Sequence, residues 1–417
     1  MKLTEEQKRA VGMVAFESHR LCLLTGGPGT GKTITVRAIA EALKQTHTRV
    51  RLCAPSGKAA KRLEEATGRP ATTIHRMLRI YPGAQRPEPV MAEVVIVDEA
   101  SMVDVELLSM LYRACGDGAV QTVLLVGDPD QLPPVGSGQP FRDYIEAGNI
   151  TTLKLTQVHR QAEGSGIIAG AYAVQAGRSP EWGDDLRLVT VEDAAEIPAR
   201  VFGLASELGL DPNSSQVLAP QRTGPCGCNE LNSVIESRRQ GEGQGDDLMR
   251  GKFRAGTKVI HIKNDKDMGV FNGELGWVVS VESHKDARHD QARVEIAGDV
   301  KSYGGRQLSM LEPAWALTVH KSQGSEWDTV IVIAHPSQAY MLSRSLLYVA
   351  LTRGKRRVIV VGTQEAVNKA VRKVLDLRRQ TWLGPRLERA RAADRKRMLA
   401  EAETSEAELS ALPGAPF

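Results

Sequence analysis

The sequence predicts an α/β protein in which two domains built on parallel sheets follow one another along the chain. Short apolar runs, such as residues 21–24 and 94–97, have the length and composition of strands buried on both faces. A glycine-rich or polar turn and a stretch of helically spaced apolar residues follow the first of these runs, which is the order of a strand–turn–helix unit. The same texture returns at residues 315–362, so we expect a second sheet in the C-terminal half.

The composition is that of an ordinary globular protein. Apolar residues make up 41% of the chain and charged residues 25%. The length of 417 residues suggests two or three domains. No run of eighteen apolar residues exists, and the first residues lack an apolar signal core, so we expect no membrane span and a cytoplasmic location. The net charge of +4 permits a nucleic-acid partner, and an aromatic content of 4% favours a grip on phosphates over base stacking.

The most specific motif is G-x-x-x-x-G-K-[ST] at residues 26–33, a phosphate-binding P-loop. The apolar run at 21–24 precedes it, and apolar residues at helical spacing follow from residue 36. A helix N-terminus placed after a glycine turn directs backbone N–H groups at a bound phosphate. Lys32 is expected to neutralise the β- and γ-phosphates of a nucleotide, and Thr33 to hold Mg²⁺.

Polar residues end several predicted elements of the first domain. Thr4 and Gln7 fit a capping box for a helix over residues 3–18. The strand at 93–100 ends in Asp98 and Glu99, and we expect alternation along the strand to point one carboxylate at a metal and the other at an attacking water. Gln131, in the loop after a strand at 122–128, is placed to reach a γ-phosphate or a water, or else is a solvated turn residue.

The predicted domain boundaries follow from changes in the pattern of strands, helices and turns along the chain. We expect the first domain to span 1–150, with a proline-rich turn or short hairpin at 79–93, and residues 153–155 to open the second domain over 151–375. Residues 164–215 are expected to be mostly helix or loop. Short strands with turn signals at 272–273 and 304–305 predict a small β-barrel insertion over about 265–312. A charged tail occupies 376–417.

A series of motifs runs in order along the chain. It comprises L-T-E-E-Q (3–7), G-G-P-G-T-G-K-T (26–33), A-P-S-G-K-A-A-K-R-L (54–63), T-I-H-R-M-L (73–78), V-D-E-A-S-M (97–102), G-D-P-D-Q-L-P-P-V (127–135), H-R-Q (159–161), A-P-Q-R-T-G (219–224), T-V-H-K-S-Q-G-S-E (318–326) and Y-V-A-L-T-R (348–353). The series as a whole resembles superfamily 1 helicases of the 5′-to-3′ branch, and within them the RecD-like DNA helicases.

The resemblance implies two RecA-like P-loop domains with ATP and Mg²⁺ between them. Gln7 would then read the adenine, and Asp98 would join Thr33 at the metal. Glu99 would be the general base, Gln131 and Arg160 would sense the γ-phosphate, and Arg353 would be an arginine finger from the second domain. The residues that would contact the nucleotide, besides Gln7, are Gly27, Pro28, Gly29, Thr30, Gly31, Lys32, Thr33, Gly324 and Glu326.

The resemblance also implies a nucleic-acid path across both domains. Segment 79–93 would be a wedge-like pin, and the insertion would be an SH3-like domain. The expected partners are single-stranded DNA and duplex junctions, bound by a monomer, and the sequence leaves protein partners open. The residues that would face DNA are Ser56, Lys58, Thr73, His75, Arg222, Thr318 and His320.

The predicted function is an ATP-dependent helicase or translocase that moves 5′-to-3′ on single-stranded DNA and unwinds duplex in repair or recombination. One alternative is an RNA helicase of the same superfamily, because a grip on phosphates distinguishes DNA from RNA poorly. Another is an ATP switch without motor activity in a repair complex. Individual residues also have structural interpretations: His75 as a packing residue, His320 as an ordinary polar residue, and Arg222, Arg160 and Arg353 as surface arginines.

Overall fold

The computed structural model describes residues 3–17, 19–80, 86–116, 118–157, 164–240, 252–265, 267–284 and 286–374, together with 383, 385–390 and 392–393. Arg160, residues 81–85 of the predicted pin and most of the predicted tail lie outside the described residues. In the described part of the chain, no helix is long and apolar enough to cross a bilayer.

The first sheet consists of parallel strands in the order β3-β2-β4-β5-β1-β6. Its strands are β1 Leu21–Gly26, β2 Val50–Ala54, β3 Ala71–Thr73, β4 Val94–Val97, β5 Thr122–Gly127 and β6 Thr151–Leu155. The helices among them are α1 Glu5–Ala15, α2 Lys32–Gln45, α3 Gly57–Thr67, α4 Ile74–Met77, α5 Val105–Gly116 and α6 Pro140–Ala147.

The strands of this sheet are buried on both faces. Successive residues alternate between two apolar clusters: Leu23 packs in one and Leu24 in the other, and Val95 and Ile96 alternate in the same way. Continuous apolar runs are what a parallel sheet covered by helices on both faces requires. The predicted α/β class is confirmed here, and so is the capping box, in which Thr4 and Gln7 exchange hydrogen bonds of 3.2 and 3.0 Å at the start of α1.

The prediction that residues 153–155 open the second domain is wrong. They belong to β6, which pairs with β1 at the edge of the first sheet, with Leu24 opposite Leu153. The first sheet therefore continues past the predicted boundary at 150. The alternating pattern of this segment predicts a strand but does not say which sheet it joins, since that depends on which neighbour has a free edge.

The second sheet is also parallel, in the order β14-β8-β15-β16-β7. Its strands are β7 Leu186–Thr190, β8 Ser215–Ala219, β14 Ala316–Thr318, β15 Trp327–Ala334 and β16 Gly354–Gly362. Its helices are α7 Gly166–Gln175, α8 Ile197–Glu207, α9 Cys228–Gln240, α10 Arg344–Leu351 and α11 Gln364–Arg372. Strand β7 lies in a region predicted as helix or loop; as a partly exposed edge strand, it lacks the apolar run that reveals the central strands.

A third, antiparallel sheet interrupts the second, in the order β12-β11-β10-β9-β13. Its strands are β9 Lys258–His261, β10 Leu275–Glu282, β11 Gln291–Ile296, β12 Asp299–Gly304 and β13 Leu311–Pro313. Its first strand begins before the predicted start at 265.

Buried polar contacts fasten this sheet to the second one. The Gln216 side-chain amide donates to the carbonyl oxygens of Ala314 (3.0 Å) and Trp315 (2.9 Å), where the chain returns from the insertion. The Lys258 ammonium group donates to the carbonyl of Pro212 at 2.6 Å. Because these polar groups are buried, any of them left without a hydrogen bond would carry a desolvation cost. The two sheets are therefore firmly attached to one another.

Candidate nucleotide site

A cleft of about 1340 Å³ lies between the two parallel sheets. It brings together many of the residues predicted to bind or hydrolyse a nucleotide. Those on the first-domain wall are Gly27, Pro28, Gly29, Gly31, Lys32, Thr33, Asp98, Glu99 and Gln131, and those on the second-domain wall are Gly324, Glu326 and Arg353. The cleft is thus built from both halves of the chain.

The P-loop joins β1 to α2 and takes a conformation that needs glycine. Gly29 and Gly31 have φ angles of 73° and 81°, in the left-handed region where side chains are strained. The Lys32 ammonium group donates to the carbonyl oxygens of Gly26 (2.7 Å) and Gly27 (3.1 Å). Its charge therefore lies over the loop itself, where a phosphate group would sit.

Asp98 and Glu99 follow strand β4 at its carboxyl end. Asp98 Oδ1 accepts a hydrogen bond of 2.9 Å from the Glu99 amide, and Glu99 has a φ of 51°, which is unusual for a residue with a side chain. The alternation along a strand that we expected does not govern these two side chains, because β4 ends at Val97 and Glu99 lies in this turn. Glu99 Oε2 is buried without a hydrogen-bond partner in the described structure.

The electrostatics of the first wall are dominated by burial. Burial, and then the charge of Glu99, raise the pKa of Asp98 to about 6, against the opposing effects of Lys32 and Arg62. Burial likewise raises the pKa of Asp128, at the end of β5, above its ordinary value. A site that crowds carboxyl groups in this way is suited to a cation.

Arg353 is the most enclosed cation of the second wall, with 4% of its surface exposed. Its guanidinium donates to the carbonyl oxygens of Val349 (3.1 Å) and Ser325 (3.2 Å) and to the Thr352 hydroxyl (3.1 Å). Burial lowers its pKa, while the nearby carboxylates of Glu99 and Glu326 oppose this effect. A buried arginine held by backbone carbonyls is a preorganised donor directed at the cleft.

Sequence reasoning missed residues that join the two walls. Arg62 on α3 donates to Glu326 at 2.7 Å, across the cleft. Burial would raise the pKa of Glu326, but Arg62 holds it below its ordinary value. A helical spacing of four residues places Arg62 on the same face as Lys58, which was a signal available in the motif at 54–63.

A second contact joins Tyr348 on α10 to Asp128. The phenol hydroxyl donates to Asp128 Oδ2 at 2.6 Å, and both side chains are buried. The Gln175 amide also donates to the Asp130 carboxylate two residues further on. The loop after β5 is therefore tied to the second domain at more than one point, and no local sequence signal connects residues so far apart.

Other residues predicted to bind the nucleotide lie beside the cleft or are not among the described residues. Gln7 is 1% exposed and uses Oε1 to cap α1, while Leu3 and Thr4 line the cleft. The Thr30 hydroxyl donates to the Gly27 carbonyl at 2.9 Å and stiffens the P-loop. Arg160 is not among the described residues.

The residues predicted to face DNA are spread over both domains, and several already have partners. Ser56 and Thr73 cap α3 and α4 by accepting backbone N–H groups at 3.2 and 3.1 Å. The Lys58 ammonium lies 5.6 Å from the ring centre of Trp327 in the second domain. Burial lowers the pKa of Lys58 to about 8, although Glu274 opposes this effect.

The remaining members of this group differ in exposure. His75 is exposed, and burial lowers the pKa of His320. Arg222 donates to Glu312 Oε1 at 2.5 Å, and the Thr318 hydroxyl accepts the Lys321 amide at 3.4 Å. Thr318 is the last residue of β14 and Arg222 follows the neighbouring strand β8, so both lie at the carboxyl edge of the second sheet.

The candidate metal ligands are the Thr33 hydroxyl and the Asp98 carboxylate, which both line the cleft. Within the described ranges, no cluster of three or more histidine, cysteine, aspartate or glutamate side chains forms a metal cage. Two hard oxygen donors near a phosphate loop fit Mg²⁺, which is commonly held by one or two protein groups together with substrate phosphates.

Comparison with known proteins agrees with this architecture. A family model described as an AAA domain matches residues 2–193, and one described as a UvrD-like helicase C-terminal domain matches residues 313–361. Among solved structures, the Pif1 helicase from Candida albicans superposes with a TM-score of 0.57 at 21% identity, covering 90% of this chain and 97% of that one. Pif1 from Bacteroides in complex with ADP-AlF3 and single-stranded DNA gives 0.55 at 20% identity, covering 94% and 98%. These likenesses show a shared fold.

Curated relatives are more similar in sequence. The ATP-dependent RecD2 DNA helicase of Deinococcus radiodurans is 42% identical over 368 residues, which are 87% of this chain and 50% of that protein. The RecD subunit of the RecBCD enzyme of Mycolicibacterium smegmatis is 33% identical over 414 residues, covering 88% of this chain and 72% of the subunit. This chain thus spans half the length of the RecD2 relative and more of the RecD subunit. On the basis of this similarity, and of the motif series whose residues line both walls of the cleft, the chain belongs to the RecD-like family of superfamily 1 helicases.

Proposed function

We propose that this chain is an ATP-dependent motor that moves 5′-to-3′ along single-stranded DNA and unwinds duplex DNA. The observation that carries the proposal is the cleft, which has a P-loop on one wall and a buried arginine on the other. Hydrolysis in such a cleft requires both domains, so it can be coupled to their movement. The names of the relatives, an ATP-dependent DNA helicase and a RecD subunit, support the same activity.

On the first wall, Lys32 leaves the carbonyls of its own loop and neutralises the β- and γ-phosphates of ATP. Glu99 accepts a proton from the attacking water, a role that its unpartnered buried oxygen supports. Gln131 orients the water or the γ-phosphate from the loop after β5. Gln7 reads the adenine at the entrance to the cleft, next to Leu3 and Thr4.

Mg²⁺ would be held by Thr33 and Asp98 and would supply charge neutralisation between the β- and γ-phosphates. The two oxygen donors and the surplus of carboxyl groups around them support this assignment. Asp98 also accepts a hydrogen bond from the Glu99 amide, and so helps to set the direction of the Glu99 side chain.

On the second wall, Arg353 donates to the γ-phosphate in the transition state, and Gly324 and Glu326 complete the nucleotide pocket. Phosphoryl transfer depends on positioning and charge stabilisation, so a cation supplied from the opposite domain makes the rate depend on closure. Arg160 is proposed as a second sensor of the γ-phosphate, on the basis of its place in the motif series.

Closure and reopening would move one domain along a bound strand while the other holds it. The turns proposed to hold DNA are Ser56, Lys58, Thr73 and His75 in the first domain and Arg222, Thr318 and His320 in the second. We place the first domain at about residues 1–157 and the second at 164–374, with the SH3-like insertion at 258–313. Residues 79–93 act as the pin, the protein works as a monomer, and the polarity follows from the family.

The test measures ATP turnover with no nucleic acid, with a DNA oligonucleotide and with an RNA oligonucleotide of the same sequence. We expect strong stimulation by DNA, together with unwinding of a duplex that carries a 5′ tail and none of a duplex that carries a 3′ tail. Equal stimulation by RNA would favour the RNA helicase alternative. Turnover that no oligonucleotide stimulates would favour an ATP switch without motor activity.

A further inference from the structure

A second polar cavity, of about 410 Å³, lies at the carboxyl edge of the second sheet, away from the nucleotide cleft. Three structural elements meet there: the loop after β8, the turn after β14, and strand β13 as it returns from the insertion. Arg222, Lys321 and Glu312 are their respective charged residues at the cavity. The remaining polar lining includes two further charged residues, Lys252 and Glu236, of which Glu236 is paired with Arg254. The uncharged polar side chains come mainly from α9 and include Asn229, Ser233 and Ser237.

Glu312 bridges both cations of this cavity. Its Oε1 accepts a hydrogen bond of 2.5 Å from Arg222, and its Oε2 accepts one of 2.8 Å from the Lys321 ammonium. The two cations come from different loops of the second domain, yet one carboxylate holds both. A phosphate group is the other common anion that offers acceptor oxygens to an arginine and a lysine in this way.

The exposure of the three side chains allows such an exchange. The Arg222 side chain is 58% exposed and that of Lys321 is 35% exposed, while Glu312 is 23% exposed. The cations can therefore turn towards an approaching strand, and the carboxylate stays near the cavity floor. An exposed ion pair of this kind contributes about 0–1 kcal/mol to stability, so stability alone does not account for a carboxylate that binds both groups.

We propose that Arg222 and Lys321 form a subsite for one phosphate of single-stranded DNA. In the free protein, Glu312 occupies the place of that phosphate, and the bound strand displaces it. Lys321 thereby becomes a DNA-binding residue, and Glu312 a residue that weakens and tunes that binding. The inference rests on the proposed function and deepens it. A strand held by exchange of partners can be released when the carboxylate takes the cations back, which a stepping motor needs at each cycle.

The test compares the variants E312Q and K321A with the wild type, using a fluorescently labelled oligodeoxythymidine over a range of salt concentrations. E312Q is expected to lower the dissociation constant by about threefold to tenfold at low salt, the size of one like charge removed about 4 Å from a phosphate in a watery setting. K321A is expected to weaken binding and to reduce the salt slope by about 0.7. In the double variant, the gain from E312Q is expected to shrink, because one of the released cations is gone.

The matched control is E365Q, which removes a carboxylate of an exposed ion pair with Lys369 on α11 and changes the net charge equally. Thermal melts of all variants report folding. Equal affinities of E312Q and E365Q, beside tight binding by the wild type, would overturn the inference and leave the proposed function standing. Failure of the wild type itself to bind single-stranded DNA would overturn both.

Discussion

The nucleotide cleft and the residues predicted to face DNA differ in how their functional groups are held. In the cleft, Glu99 has an unpartnered oxygen, Lys32 rests on its own loop, and Arg353 is fixed by backbone carbonyls. Along the proposed DNA path, Lys58 lies against Trp327 and Arg222 is bound to Glu312. In the cleft, Lys32 exchanges its loop carbonyls for phosphates while the surrounding groups are already in place, whereas along the DNA path Lys58 and Arg222 must both give up contacts with other side chains.

This difference predicts that substitutions in the cleft have large effects on turnover, while substitutions along the DNA path have graded effects on affinity. The largest effect is expected from Lys32→Ala. Without the ammonium group, the β- and γ-phosphates lose the cation that neutralises them, and ATP hydrolysis should fall to background in a phosphate-release assay. Lys44→Ala, at an exposed position on the same helix, is the control. Substantial turnover by the Lys32 variant would remove the P-loop assignment.

Arg353→Ala should retain nucleotide binding but lose about 10³-fold or more in turnover, because an arginine finger acts in the transition state. Single-turnover kinetics with a fluorescent ATP analogue would separate binding from chemistry. Arg356→Ala, on the exposed part of β16, is the control. If nucleotide affinity falls instead, and bound ATP is hydrolysed at the wild-type rate, the finger role is wrong.

Tyr348→Phe tests the contact between the two domains. The change preserves the shape of the side chain but leaves the buried carboxylate of Asp128 without its phenol donor. We expect the free energy of unfolding to fall by about 1–3 kcal/mol in urea titrations, the cost of an unsatisfied buried acceptor. Tyr340→Phe, at an exposed tyrosine, should have no such effect. Equal stability of the two variants would show that the contact is dispensable.

The smallest expected effect is that of Lys58→Ala, which should lower the salt slope of single-strand binding by about 0.7. The pKa of Lys58 in the free protein is about 8, and a phosphate would raise it. Binding must then take up a proton above pH 8, so affinity should decline as pH rises through that value and decline less in the variant. Lys8→Ala is the control at an exposed lysine. An unchanged slope would restrict Lys58 to the contact with Trp327.

The sequence predicts best where local chemistry is decisive. The central strands are recognisable because burial on both faces demands apolar runs, and the P-loop because its glycines adopt φ angles that other residues avoid. The capping box of Thr4 and Gln7 is equally local. Each of these features depends on residues that are close together in the chain.

Features that depend on distant residues were missed. Strand β6 joined the first sheet because an edge of β1 was open to it, and no pattern within the strand says so. The pair of Arg62 with Glu326 and that of Tyr348 with Asp128 link residues more than two hundred positions apart. The turn at Glu99 was misjudged because the strand was predicted over 93–100, whereas it ends with its apolar run at Val97.

The contact between Lys58 and Trp327 has a practical consequence. The indole belongs to the second domain and the ammonium group to the first, and the Trp327 side chain is almost completely buried. An indole's emission responds to a nearby charge and to water, so separation of the two domains would change the light that Trp327 emits. Trp327 is one of five tryptophans in the chain, so its emission reports cleft opening as a change on top of the light from the other four.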